Sequence, residues 1–187
     1  MNVKYPETLA RMQAGNARYL AARTNPGDVS PARRLDTAQN GQHPYAIVVA
    51  CADSRVVPES IFSAGLGELF VIRVAGNVIG DTQLGSIQYA AGHLGVKTVV
   101  VLGHTNCGAV GAAMAGGAGG YVGFLTGEIA KAIGAEQDDF RASAKNVGYG
   151  VSRIREALKD DRECPSDSLD ILGAVYHIDT GTVDWLN

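Results

Sequence analysis

The sequence predicts a single α/β domain: a central, mostly parallel β-sheet of about four to five strands flanked by helices, with a helical arm at the N-terminus. Continuous apolar runs rich in β-branched residues recur at 45–50, 69–74, 98–102 and 169–178, the pattern of strands buried on both faces. Segments with helical spacing separate these runs, and strand–helix alternation implies right-handed crossovers and parallel pairing. With 187 residues, 46% hydrophobic and 19% charged, the chain has enough apolar material for one core, and no internal repeat or second domain interrupts it. The expected organisation is an arm and connector over 1–42 and an α/β core over 43–187.

Residues 6–23 have helix-forming composition, with Leu9, Met12, Tyr19 and Leu20 as an imperfect apolar stripe, and read as an amphipathic arm. Residues 24–42, rich in Asn, Pro, Gly, Asp and Ser, read as a surface connector with a short helix around 32–38. The first strand, 45–50, leads to a helix at 58–63 opened by Pro58, whose missing donor is harmless in a first turn. Strand 69–74 carries Arg73 near its end, where a guanidinium can satisfy strand-end carbonyls or pair with a carboxylate at a subunit contact. Leu84, Ile87, Ala91 and Leu94 fall at helical spacing over 81–94, with Asp81 as the expected N-cap and Gly95 as the stop.

After strand 98–102, a helix begins at Cys107 and runs through Met114. Residues 116–127 are glycine-dense and read as a mobile loop, since no Gly-Lys-Ser or Gly-Lys-Thr ending marks a phosphate site. Val147, Val151, Ile154 and Leu158 define a long amphipathic helix over 138–159, weakened by Gly148 and Gly150. A final strand, 169–178, turns at Asp179-Thr180-Gly181-Thr182 into a short edge extension at 183–186.

Polar chemistry is concentrated where two strands end. Cys51-Ala52-Asp53-Ser54-Arg55 follows the first strand and His104-Thr105-Asn106-Cys107 the third. Two thiols and an imidazole are a donor set that zinc prefers, and three protein ligands is the number of catalytic zinc sites. The three cysteines cannot all pair, and Cys51 and Cys107 at strand ends beside His104 favour thiolate ligands over disulfides; Cys164 is expected to be a bystander. A net charge of −3 offers no basic footprint for nucleic acid or a membrane surface. No apolar run approaches a bilayer span and no apolar leader follows Met1, so a cytoplasmic protein with a small-molecule partner is expected.

The residues at these positions resemble the β-class carbonic anhydrases. The resemblance rests on Cys51-x-Asp53-Ser54-Arg55, on Gly67-Glu68-Leu69-Phe70-Val71-Ile72-Arg73 followed by Ala75-Gly76-Asn77, and on Gly103-His104-x-x-Cys107-Gly108 with Ala109-Val110. It extends to Gly15-Asn16-x-Arg18-Tyr19 in the arm and to Gly173-Ala174-Val175-Tyr176 with Asp179-Thr180-Gly181, and so covers nearly the whole chain. It implies reversible hydration of CO2 to bicarbonate and a proton, with one Zn2+ per chain held by Cys51, His104 and Cys107 and a water as fourth ligand. Two thiolates cancel the charge of zinc, so such a centre is formally neutral and its water needs help. The resemblance assigns that help to Asp53, which accepts a hydrogen bond from zinc-bound hydroxide, and to Arg55, which holds Asp53 ionised.

Some members of that family let the aspartate bind zinc until pH rises. Gln42 matches a glutamine of the open branch that donates to substrate, and Val48 and Ala50 stand where the pH-gated branch has a tryptophan and a glycine, so an open site is expected. Phe70 and Tyr89 match aromatic positions of an apolar substrate pocket, and Gly108 one whose N–H faces substrate. The family's smallest active unit is a dimer, with Gln42, Phe70 and Tyr89 facing the partner's zinc and the arm wrapping the partner. A homodimer or dimer of dimers is therefore implied.

Taken alone, Phe70 and Tyr89 read as core packing, and an isolated Asp-x-Arg as a surface ion pair of little worth. Asp53 begins two residues from a ligand, which favours the functional reading. His43, His93 and His177 read as surface or packing residues, with His43, beside Gln42, also placed to relay protons. Two alternatives use the same residues: hydrolysis of carbonyl sulfide or carbon disulfide, and a closed structural zinc site, which wants a fourth protein ligand.

Overall fold

Five strands, β1 (Ala46–Ala50), β2 (Leu69–Arg73), β3 (Thr98–His104), β4 (Asp170–Tyr176) and β5 (Val183–Trp185), form one sheet in the computed structural model, which describes residues 3–22, 24 and 27–186. The order across the sheet is β2-β1-β3-β4-β5, with the first four strands parallel and β5 antiparallel to β4. Every residue of β1, β3 and β4 is buried, which explains why these strands read as unbroken apolar runs.

Alternation along the strands divides the core in two. Ile47, Val49, Val99, Val101, Ile171 and Val175 face helices α4 (Asp81–Gly92) and α7 (Asp139–Ala157), which contribute Ile87, Ala90 and Ala91 and Val147, Val151 and Ile154. On the other face Val48, Val100, Leu102 and Leu172 meet Met12 of α1 (Pro6–Ala21) and Ile61 of α3 (Pro58–Ile61). Gly103 of β3 is where α7 comes closest, since a Cβ there would lie 2.6 Å from Val147 Cγ2.

Several elements depart from expectation. The N-terminal helix forms with Met12 buried, as expected, and adds the buried Gly15 and Asn16, with Asn16 Nδ2 donating to the carbonyls of Ile61 (3.2 Å) and Gly181 (2.9 Å). Leu20, expected in its stripe, is 47% exposed because the buried stripe runs through the smaller residues. The expected end of this helix at Arg23, and Asn25 and Pro26 of the connector, lie outside the described residues. Helix α2 (Pro31–Asn40) fills more of the connector than expected because Ser30 caps it, accepting from the Arg33 N–H, and Gly41, at φ +79°, stops it. Asp81 is the first residue of α4 rather than its cap; Gly80 occupies that position and its N–H donates to Gln83 Oε1 at 3.2 Å.

The largest correction concerns 116–127. Its second half belongs to α6 (Val122–Ile133), which follows α5 (Gly108–Met114) and buries Thr126, Ile129 and Ile133. Glycines 123 and 127 lower helix propensity but lie off that buried stripe, so packing outweighs them. No helix among the described residues is long and apolar enough to cross a membrane.

Candidate metal centre

The chain leaves β1 toward β2 on one side and returns to β3 on the other, so the order reverses between β1 and β3. Crevices for ligands open at such a point, beyond the C-terminal strand ends. Ala50 is level with Leu102, so Cys51, just past β1, comes beside His104, the last residue of β3. The strand thus runs two residues further than its β-branched run, placing His104 on the sheet rather than in the following turn. Asn106, at φ +55°, then reverses the chain, and Cys107 becomes the N-cap of α5.

Cys51, His104 and Cys107 are all buried, and their ligand atoms lie within 4.8 Å of one another. His104 Nδ1 is 2.9 Å from the carbonyl oxygen of Thr105; an acceptor there fixes the proton on Nδ1 and leaves the lone pair on Nε2. That Nε2 is buried with no hydrogen-bond partner. An orphaned lone pair beside two thiols fits a bound cation, with the Nδ1–H bond as its orienting contact. Cys51 Sγ accepts from the N–H groups of Asp53 (3.4 Å) and Gly76 (3.3 Å).

The ionisation of the cluster tells the same story. The Cys107 thiol donating toward Cys51, helped by His104 and the two N–H groups against burial, brings Cys51 down to about 4. The same bond, followed by burial, pushes Cys107 well up. For His104, burial opposes charging, but contact with Cys51 outweighs it and its value lies above the ordinary one. Negative charge is thus favoured on Cys51, and a cation held by the three side chains would balance it.

Asp53 stands beside this cluster but is turned onto Arg55. The arginine Nε donates to Oδ1 at 2.9 Å and Nη2 to Oδ2 at 2.7 Å, a two-pronged contact that holds the Asp53 carboxyl well below the usual carboxylate range despite some burial. Arg55 Nη2 also reaches the Asn106 carbonyl at 3.2 Å, joining the two loops. Arg73 satisfies strand-end carbonyls, with Nε to Cys51 O at 3.2 Å and Nη2 to Asp53 O at 2.7 Å. Behind the sulfurs, Val110, Ala113, Ile129, Ile133 and Ala142 form an apolar wall.

A family model described as carbonic anhydrase matches residues 46–183, a span that holds both ligand loops and every strand but the last two residues of β5. The chain belongs to the carbonic anhydrase family. Carbonic anhydrase 2 of Mycobacterium tuberculosis is 38% identical over 182 residues, covering 91% of this chain and 87% of the relative. The carbonic anhydrase of Pseudomonas aeruginosa is 33% identical over 180 residues, covering 86% and 82%. Among solved structures, the β-carbonic anhydrase CafA of Aspergillus fumigatus matches with a TM-score of 0.70 and 25% identity, over 98% of this chain and 91% of that one. The fold is that of the β class.

Within this carbonic anhydrase the expected site residues divide into two groups. Cys51, Asp53, Arg55, His104 and Cys107 converge, and Gly108, the exposed first residue of α5, adjoins them, with nothing within 4 Å of where a Cβ would stand. Gln42 is exposed before β1, at the opposite end of that strand from Cys51, roughly 13 Å of strand away. Phe70 lies level with Ile47 and contacts Tyr89 of α4, ring centroids 6.2 Å apart; Tyr89 is 48% exposed. A single chain does not bring these three to its own Cys51.

His43 is exposed, His93 meets Tyr89 in a tilted ring contact with centroids 5.3 Å apart, and His177 pairs with Asp184 at 2.9 Å. Cys164 takes no part in the cluster but is a core residue, burial pushing its thiol up to about 11. The sequence reading missed the Gly76 N–H on Cys51 and the buried polar Ser143 and Asn146 of α7. The signal for the latter was polar side chains beside an apolar helix stripe.

Proposed function

We propose that this chain hydrates CO2 reversibly at one zinc held by Cys51, His104 and Cys107, with Asp53 and Arg55 ordering the nucleophile. The observation that carries the reading is the unpartnered His104 Nε2 in a buried cluster with two thiols, the ligand atoms of the three residues lying within 4.8 Å of one another. Zinc bound there supplies a Lewis acid and lowers the pKa of a coordinated water toward neutrality. Asp53 stays ionised and accepts a hydrogen bond from the attacking group, orienting its lone pair toward carbon. Both oxygens of that carboxylate are engaged by Arg55 and not by the ligand side chains, which supports the open form. The apolar residues packed behind the sulfurs shield them from water on that side.

Three ligand candidates and no fourth, among the described residues, support a catalytic site over a structural one. The separation of Gln42, Phe70 and Tyr89 from the cluster of their own chain supports a dimer in which they serve the partner's site, with Gly108 contributing its N–H locally. The location that goes with this reading is the cytoplasm, where thiolate ligands and the buried Cys164 thiol stay reduced.

Stopped-flow CO2 hydration from about pH 6.5 to about pH 9 on zinc-verified protein, with Asp53→Ala as control, tests the reading. Activity that persists toward neutral pH and falls in the variant upholds it. Zinc-loaded protein that releases sulfide from carbonyl sulfide or carbon disulfide but does not hydrate CO2 replaces it.

A further inference from the structure

Helix α7 supplies no metal ligand, yet three of its side chains hold backbone that does. Asp139, Ser143 and Asn146 are spaced four and three residues apart and share one stripe. Asp139 Oδ2 accepts from the Asn106 N–H at 2.8 Å, Ser143 Oγ donates to the His104 carbonyl at 3.0 Å, and Asn146 Nδ2 donates to the Gly76 carbonyl at 2.8 Å. Each contacted backbone group bears on a different ligand. Asn106, in its left-handed conformation, sets the turn into Cys107; the first carbonyl is that of His104 itself; and Gly76 points its own N–H at Cys51 Sγ.

Packing alone does not ask for these side chains. Ser143 and Asn146 are 2% and 4% exposed among Ala142, Val147 and Gly150, where apolar residues would fill the space without a desolvation penalty. Their polar atoms are spent on the backbone of the ligand His104, at the end of β3, and of Gly76, in the turn after β2 whose N–H meets Cys51 Sγ. Asp139 completes the set through Asn106, whose carbonyl Arg55 holds from the other side.

We propose that Asp139, Ser143 and Asn146 are positioning residues of the metal centre, and that α7 is the rigid rail setting the spacing of Cys51 against His104 and Cys107. The proposal rests on the zinc reading above. Its sharpest consequence runs through Asn146. Holding the Gly76 carbonyl keeps Gly76 at φ +69° with its N–H on Cys51, and an N–H donated to a thiolate draws charge from the sulfur. A sulfur that donates less leaves the metal more acidic, so loss of Asn146 moves the pH midpoint of hydration upward.

The test compares wild type, Asn146→Ala, Ser143→Ala and Asp139→Ala, with Ser152→Ala on the exposed face of the same helix as control. The readouts are zinc affinity by chelator competition, the thiolate-to-metal absorption of the cobalt(II)-substituted protein, and the pH midpoint of CO2 hydration. Zinc affinity is expected to fall about tenfold to a hundredfold in Asn146→Ala and Ser143→Ala. The cobalt absorption and the pH midpoint should move with it in Asn146→Ala, while Ser152→Ala matches wild type. Variants that lose only thermal stability, keeping zinc affinity, cobalt spectrum and midpoint, overturn the proposal. If the buried variants do not fold, Asp139→Ala, at a partly exposed position, decides by the same zinc and cobalt readouts. Wild type that takes up no zinc overturns the metal-centre reading itself, a result seen before any variant is compared.

Discussion

Arg55 meets Asp53 through both carboxylate oxygens, and the Arg55 backbone N–H adds a third contact to Oδ1 at 2.9 Å. A carboxylate so engaged is oriented by protein rather than by the metal ligands beside it. Its depressed pKa also fixes a sign. The stability Asp53 gains is present above the ordinary carboxyl range and is lost progressively as pH falls from that range through the lowered folded value, outside any neutral assay.

Arg55→Ala is therefore expected to act through geometry. Asp53 still ionises at neutral pH without its partner, so kcat/KM for CO2 should fall about a hundredfold with the pH midpoint unchanged. A variant active only at alkaline pH, with Asp53 bonded to zinc in its crystal structure, would show that Arg55 holds open a gate.

Removing metal should cost both activity and stability. Dialysis against a chelator is expected to abolish hydration, and added zinc to restore it. Free zinc at a thousandfold excess over its Kd stabilises a fold that binds it by about 4 kcal/mol, so the melting temperature should rise on reloading. Calorimetry of the two forms measures this, and equal melting temperatures would contradict metal binding at buried ligands.

Gly76→Ala strains the centre from behind. Gly76 sits at φ +69°, and a Cβ there would lie 2.6 Å from Ile129 Cδ1 and 3.1 Å from Ala109 Cβ. A loss of about 1–3 kcal/mol on denaturant unfolding is expected, with weaker zinc binding as the Gly76 N–H turns from Cys51. Unfolding at the wild-type midpoint would mean that α6 yields more readily than its buried packing implies.

Mixing subunits tests the shared cleft. Asp53→Ala disables its own chain's site, whereas Gln42→Ala should disable the partner's. A hybrid dimer of the two then carries one doubly damaged site and one intact site, so co-refolded mixtures should recover activity that neither variant has alone. No recovery in verified hybrids would place Gln42 in its own chain's chemistry or outside it.

The parallel core was legible because its strands are buried on both faces, so the runs at Val48 and Val100 could hardly be anything else. The convergence of Cys51, His104 and Cys107 was legible because cysteine and histidine at strand ends have few other uses. Helix α6 was hidden by glycines that count against a helix in isolation and count little once Ile129 and Ile133 are buried. The contacts of Ser143 and Asn146 were beyond reach for another reason. Their partners are backbone atoms of distant loops, and no side-chain pattern announces a carbonyl.

The level pairing of Ala50 with Leu102 also has a consequence for how the chain matures. Cys51 and His104 belong to different strands, so no local segment can preassemble the full ligand set, and the nascent chain meets metal with only scattered donors. Sliding β3 by one residue against β1 would turn His104 to the opposite side of the sheet and separate it from Cys51. Only a correctly registered sheet thus presents all three candidate donors at once, so any ion they hold would bind at full strength only after the strands have aligned.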